Sequence, residues 1–275
     1  MEPYAALAIV LRRRDIGEND RIVTLLTSEY GKIEAAARGS RKAGARAAGA
    51  SEPFTELNLR IAHGRRLDVV IQWHVINAHG HLRSNLSQLA RASYICEVAE
   101  LFTIDHDPCP AVYDLVSGSL SALESGFIEH DGAGLDCVVR AFEVQLVEIQ
   151  GYAISTRACS HCGRAISLDH LDARSPFSPM LGGVLCSACR YRASDAYSVS
   201  PDVLLTIERL KTQNLGNAAD LRLDATLASE VGRCLRWFLR HRCERETKAA
   251  TFLELIRHDE GLERDGDSIQ YRRGD

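Results

Sequence analysis

Arg21-Ile22-Val23-Thr24-Leu25-Leu26-Thr27, Ser28-Glu29-Tyr30-Gly31, Lys32-Ile33-Glu34-Ala35-Ala36-Ala37 is the stretch on which the fold turns. A run rich in β-branched and leucine residues, a turn ending in glycine and a second short run make a hairpin signature. The pattern repeats on both sides. Ala5–Leu11 is an apolar run closed by Arg12-Arg13-Arg14, and Glu52–Ile61 sets Phe54, Leu57, Leu59 and Ile61 among polar partners with one slip. His63-Gly64-Arg65-Arg66 then turns the chain into Leu67–Ile76, rich in valine and isoleucine. Five short strands in the first eighty residues, with a Gly/Ala/basic loop over 39–50, suit a small closed barrel of the OB-fold type. The alanine-rich 35–50 stretch also fits a helix, so helix and third strand compete for its first residues.

From Arg83 onward the period lengthens toward that of a helix. Tyr94, Ile95, Val98, Leu101 and Phe102 share one face of Ser84–Thr103; Val112, Leu115, Val116, Leu120 and Leu123 form a second stripe; Val138, Val139, Phe142, Leu146 and Ile149 form a third. Ser200-Pro201-Asp202 reads as a helix start with Ser200 as N-cap, and Leu227–Arg240 and Thr247–His258 fit two further helices. The expected organisation is multi-domain α+β: an OB-fold barrel over 1–80, an α-helical domain over 81–258 containing a zinc-finger insertion at 156–192, and a polar tail over 259–275.

Of the 275 residues 45% are hydrophobic and 25% charged, an ordinary globular composition that excludes wholesale disorder. No apolar run approaches the ~18–20 residues of a membrane span, and Met1-Glu2-Pro3-Tyr4 lacks the design of a signal peptide. Nine cysteines in such a chain read as reduced thiols of a cytoplasmic protein. The net charge of −4 conceals an asymmetry. Residues 1–80 hold 12 Lys/Arg against 9 acids, and within 31–66 the count is eight bases to three acids, so a basic end sits on an acidic body.

Cys159-Ser160-His161-Cys162 and Cys186-Ser187-Ala188-Cys189 stand 23 residues apart. Two such knuckles present four thiolates, which close a tetrahedral site at about 2.3 Å from a zinc ion. The spacer slightly exceeds the usual ~15–20 residues, which a longer loop accommodates. The bland alternatives are four buried cysteines or a redox pair at Cys159 and Cys162, and His161 is a possible substitute ligand. With all four positions filled by sulfur, the zinc is structural, not catalytic. The remaining cysteines, Cys96, Cys109, Cys137, Cys234 and Cys243, read as small hydrophobes.

Two glycine patterns fail on inspection. Residues 44–51 have phosphate-loop spacing through Gly44 and Gly49, but Ala50 stands where the lysine is needed. Gly132 and Gly134 lack the third glycine and the preceding strand of a dinucleotide site. Asp105-His106-Asp107 precedes Pro108 and Pro110 and reads as a solvated turn. No constellation of an active site is visible, so the protein is not expected to be an enzyme. The basic residues remain. On a strand Arg12 and Arg14 share a face, while Arg38, Arg41, Lys42 and Arg46 lie at and inside the loop, one strand from Lys32. They either form a solvated surface or track a nucleic-acid backbone. Only Tyr4, Tyr30, Phe54 and Trp73 offer rings for stacking here, so binding would be chiefly electrostatic and salt-sensitive.

The chain resembles the bacterial RecO family of DNA repair and recombination mediators. The similarity is carried by Ile9-Val10-Leu11-Arg12, by Gly17-Glu18-Asn19-Asp20-Arg21-Ile22-Val23 with Thr27, and by Gly31-Lys32 and Ala37-Arg38-Gly39. A basic loop, Pro53-Phe54, the paired cysteines and the stretch Arg242–Leu255 follow in the family's order, over roughly residues 1–258. The resemblance implies an OB-fold, a helical domain and a zinc finger. It implies binding and annealing of single- and double-stranded DNA, and work with RecR to load RecA onto DNA coated by single-stranded-DNA-binding protein. It makes Arg12, Arg14, Lys32, Arg38, Arg41 and Lys42 the DNA-contact candidates, with no membrane partner and a nucleoid-associated location. Two other classes remain: a zinc-knuckle adaptor whose barrel binds protein, and a metal-dependent hydrolase, which the closed four-cysteine site disfavours.

Overall fold

β2 (Asp20–Thr27) is buried at six consecutive residues, Ile22 to Thr27, although a strand has two faces. Val23 and Leu25 point into one core with Val10, Ile33, Leu57, Leu59 and Ile61. Leu26 points the other way, into a second core shared with Ile9, Leu11 and the helices. Burial on both faces is why the sequence there shows a continuous apolar run and not an alternation. The computed structural model describes residues 2–42, 44–126, 131–168, 174–221, 223–243 and 247–261.

With β2, the strands β1 (Tyr4–Ile16), β3 (Gly31–Ala37), β4 (Glu56–Ala62) and β5 (Asp68–Asn77) close a barrel in the order β1-β2-β3-β5-β4. All neighbours are antiparallel except β3 and β5, which meet in parallel at Ala35–Asp68 and Ala36–Val69. A bulge between Val10 and Arg12 bends β1, whose first half pairs with β4 and whose second half pairs with β2. The first strand therefore runs past the predicted Leu11 to Ile16, held by its pairing with β2. The competition over 35–50 resolves by division: β3 lasts to Ala37, and α1 (Arg46–Ala50) follows with Ala50 in the barrel core.

α2 (Gly80–Ser84), α3 (Leu86–Phe102), α4 (Pro110–Gly126), α5 (Gly132–Ile149), α6 (Pro201–Thr212), α7 (Ala225–Cys243) and α8 (Lys248–Asp259) make the helical part. Asn85, Asp131 and Thr247 cap α3, α5 and α8, each accepting from the amide three residues on. Ser200 stands at the N-cap of α6, but its hydroxyl donates to Glu230 of α7 at 2.8 Å and does not cap the helix. Between α5 and α6 lies a sheet of β6 (Ser175–Ser178), β7 (Gly183–Val184) and β8 (Tyr197–Val199) in the order β7-β6-β8, its strands too short for any periodic signal in the sequence.

The helical core also holds ions. Asp136 accepts from Arg91 Nε at 2.9 Å and from Arg257 Nε at 2.7 Å, while Arg140 donates to both oxygens of Glu143 at 2.9 and 2.8 Å. Burial opposes ionisation of Asp136, but Arg257 and Arg91 outweigh it and hold its pKa below the ordinary value. Glu260, inside the stretch read as a tail, accepts from Arg91 Nη2 at 2.7 Å; from residue 262 onward that tail lies outside the described residues.

His79 joins the barrel to the helices. It is 1% exposed, in a left-handed conformation with φ 45°, and it lies between Glu124 of α4 (Nδ1, 2.8 Å) and Glu56 of β4 (Nε2, 3.1 Å). The Ser117 hydroxyl donates to the same Glu56 oxygen at 2.7 Å. Burial alone would lower the imidazole pKa, but the two carboxylates outweigh it and the net shift is upward. A raised folded-state pKa stabilises the fold fully below the ordinary histidine value of about 6.5, and that contribution disappears as pH rises through the raised value. The melting temperature of the parent should therefore exceed that of His79→Asn by most at mildly acidic pH, with the gap shrinking as pH rises. A gap that does not change with pH would show that the clamp is not charged.

Candidate nucleic-acid interface and metal centre

On the outer wall of the barrel Arg12 pairs across from Thr24, which pairs across from Glu34; Arg14 lies across from Ile22, and Ile22 from Ala36. Directly paired residues share a face, so Arg12, Arg14, Glu34 and Ala36 line one strip, and Arg38 follows two residues beyond. Arg12 is not idle: its Nε and Nη2 reach Glu100 of α3 at 3.1 and 2.8 Å, and that hydrogen bonding raises its pKa. Arg14 comes only within 3.5 Å of Glu34, with both side chains exposed.

Arg38, Arg41 and Lys42 are exposed together at one barrel end. The Gly39 amide donates to Asp20 at 2.7 Å and the Arg41 amide to the Asn19 carbonyl at 2.9 Å, which stitch this turn to the β1–β2 loop. Arg41 also donates to the Gly17 carbonyl at 2.8 Å and lies 3.5 Å from Asp15. Arg38 and Lys42 have no ion-pair partner among the described residues. Arg46 opens α1 just beyond.

Lys32 has another place. Its side chain is 16% exposed, and its ammonium donates to the carbonyls of Glu100 and Thr103, each at 2.8 Å, with Asp105 at 3.2 Å. These carbonyls end α3, where the helix dipole favours a cation. The preceding Gly31 (φ +68°) packs so closely on the Asp107 backbone that any Cβ would overlap it, and the His106 amide donates to the Lys32 carbonyl at 2.9 Å. Residues 105–107 are exposed, as expected of a solvated turn, and their backbone is also the seat on which β3 docks. Among the four rings, Phe54 is buried at 2% exposure, Tyr4 and Trp73 are half-buried and pack on the barrel core, and Tyr30 is exposed. Arg65 and Arg66, which in sequence mark only a turn, are both exposed between β4 and β5, and their share of the basic excess in 31–66 is the sequence signal for them.

The four cysteines come together as expected. The sulfurs of Cys159, Cys162, Cys186 and Cys189 lie within 4.8 Å of one another, and the Cys162–Cys186 distance of 3.8 Å is the edge of a tetrahedron about 2.3 Å in radius. Hydrogen bonds of Gly163 N to Cys159 O (2.8 Å) and Cys189 N to Cys186 O (2.9 Å) shape the two knuckles. Burial opposes the Cys159 thiolate, yet backbone amides from Cys186, Cys162 and His161 hold its pKa down at about 6. Cys189 is pushed up to about 12, by burial first and then by the other sulfurs. Four soft thiolates in this arrangement fit a tetrahedral cation such as zinc and leave no open position for substrate.

A closed five-stranded OB-fold barrel, a helical region packed on its outer wall and a four-cysteine cluster between α5 and α6 define a class of barrel-plus-helix proteins with a closed metal-type site. The family model for the Recombination protein O N terminal matches residues 1–79, and that for the Recombination protein O C terminal matches residues 83–250. The chain is 34% identical over 257 residues to the DNA repair protein RecO of Symbiobacterium thermophilum, covering 94% of this chain and 99% of that protein. It is 33% identical over 254 residues to that of Pelotomaculum thermopropionicum, covering 92% and 94%. The chain belongs to the RecO family of DNA repair proteins. No helix among its described residues is long and apolar enough to cross a membrane.

Lys32→Ala leaves the last carbonyls of α3 without their cation. Hydrogen bonds to charged groups contribute about 1.5–3 kcal/mol, so a loss of stability of that order is expected in denaturant melts. An unchanged midpoint would remove Lys32 from the domain joint.

Proposed function

We propose that the protein binds single- and double-stranded DNA through the basic end of its barrel, anneals complementary strands, and acts with RecR to load RecA onto DNA coated by single-stranded-DNA-binding protein. The observation that carries this reading is the cluster of Arg38, Arg41 and Lys42, exposed at one end of an OB-fold in a chain of the RecO family. Arg14 extends it, Arg46 is a further candidate by its place at the start of α1, and Arg12 joins it when phosphate competes for the guanidinium that Glu100 now holds. The protein would work in the cytoplasm, at the nucleoid.

The mechanism needs no turnover of the protein's own. Fixed cations neutralise phosphates of two strands at once, lower their repulsion and raise their local concentration. Phosphate-loop chemistry at 44–51 is disfavoured, because Ala50 is 2% exposed and contributes to the barrel core. Cys159, Cys162, Cys186 and Cys189 would hold one zinc ion, whose bonds close the chain between the two knuckles; the ion supplies a structural crosslink.

A second reading, a barrel that binds protein and not nucleic acid, is favoured by one observation: Ile71, Val75 and Ile76 of β5 are 48, 42 and 51% exposed. Negligible affinity for polynucleotide at low salt would select it.

Annealing of complementary oligonucleotides should proceed in EDTA without nucleotide and slow steeply as salt rises. Arg38→Ala/Arg41→Ala/Lys42→Ala should slow it and flatten the plot of log affinity against log salt by up to about three phosphate contacts, each worth about 0.7–0.9 of slope. An ATP requirement, or the parent's slope in the triple variant, would overturn the mechanism. Metal analysis should find about one zinc per chain. Cys186→Ser should lower that content sharply and open residues 156–200 to protease; unchanged metal content would dismiss the four-sulfur site.

A further inference from the structure

Among the described residues, half of the barrel's twelve cations have carboxylate partners. Arg12, Arg13, Arg14, Arg21, Lys32 and Arg41 each lie within ion-pair distance of a carboxylate. Arg60, Arg65 and Arg66 are exposed and have no such partner among the described residues. They surround the β4–β5 turn, where three rings form a column. Tyr30 and Tyr4 are 4.5 Å apart between centroids at an interplanar angle of 57°, and Tyr4 and His63 are 4.9 Å apart at 34°, so the rings touch in tilted contacts along the column. Tyr30 is 38% exposed and the His63 side chain 41%, so both ends of the column are open.

The column is held in place. The Tyr4 hydroxyl donates to Asp68 Oδ2 at 2.6 Å, and the Gly64 amide donates to Asp68 Oδ1 at 3.1 Å, with His63 Nδ1 3.6 Å from that oxygen. One carboxylate thus positions the Tyr4 ring and the turn that carries His63, and its two oxygens are engaged by the tyrosine hydroxyl and the Gly64 amide. Gly64 is required, since a Cβ there would overlap the Leu67 carbonyl oxygen.

We infer that Tyr30, Tyr4 and His63, flanked by Arg60, Arg65 and Arg66, form a stacking platform for unpaired bases of a single DNA strand. This rests on the DNA-binding reading and extends it to a second part of the barrel. Tyr30 and His63 are the exposed rings, with the half-buried Tyr4 between them as support. Exposed rings beside unpartnered guanidiniums are the combination by which barrels of this kind hold single strands, with rings taking bases and cations taking phosphates. Duplex bases already stack on one another and have no face to offer. β5 starts beside Ala35 and Ala36 of β3. Extending that register puts Arg66 about five residues, or roughly 16 Å, along the barrel wall from Arg38. One strand of several nucleotides can reach both places, and the platform gives the protein a preference for the unpaired form.

The test uses the full-length chain, a labelled oligothymidine and a duplex of equal length, titrated at several salt concentrations. Tyr30→Leu should weaken single-strand binding by about 5- to 100-fold, the range for loss of one stacked base. The salt slope and duplex affinity should be unchanged. Tyr30→Phe should bind as the parent does. His63→Ala, at the exposed end of the column, is the independent second variant and should weaken the single strand in the same selective way. Arg65→Ala/Arg66→Ala should lower the slope by up to about two phosphate contacts. If the parent binds neither oligonucleotide, the DNA-binding reading falls and the platform with it. If the parent binds and the triple variant at 38–42 weakens it, while Tyr30→Leu and His63→Ala bind single strands as the parent does, the DNA-binding reading stands and the platform is overturned.

Discussion

The structure depends on a lysine ammonium seated at the end of a helix. Lys32 reaches out of β3 to the last carbonyls of α3, and Gly31 beside it allows the barrel to approach residues 105–107 without a side chain between them. Once that joint is made, the outer wall of β1 and β2 becomes an interior: Ile9, Leu11 and Leu26 pack among helical residues, and apolar surface that an isolated barrel would expose to water is buried. His79 between Glu56 and Glu124 fastens another point of the same interface, and Arg12 with Glu100 a third at its exposed rim. A buried, paired ion resists being pulled apart because separation leaves a charge without a partner. The barrel is therefore held on a fixed base.

That arrangement sorts the cations. An acidic protein can show a basic end only if its positive charges are not all answered locally. Carboxylates engage the arginines close to the helical domain and around Glu52, while Arg38 and Lys42 at one end, and Arg60, Arg65 and Arg66 at the other, stay open to solvent. Local density of unanswered charge, and not the total of −4, sets the field that a polyanion meets.

The four-cysteine module follows a different economy. Its strands are two to four residues long, below what a sheet needs for independent stability. The cysteines with Leu185 and Ala193 form a small cluster of their own, while Phe177, Val184 and Val199 anchor the three strands in the large helical core. This explains why a module so poor in periodic sequence signal can still hold a defined shape between α5 and α6.

Much of this was legible in the residues. Apolar period and turn chemistry located the five strands and the long helices, because side-chain direction in a strand or helix is a property of a short window of chain. The knuckle spacing located the thiolate cage, since both halves of each pair lie within one turn. Read alone, Lys32 and Arg38 were equivalent basic residues near a loop, and Ser200 was a helix cap. Only the tertiary structure separated them: Lys32 finds carbonyls 68 residues away, Ser200 finds Glu230, and Arg38 finds water. Which groups answer a charge depends on chain segments that are remote in sequence and adjacent only after folding. The positions of cations were thus set by sequence, while their division into structural joint and open, unpaired surface was decided by the packing of the helices on the barrel.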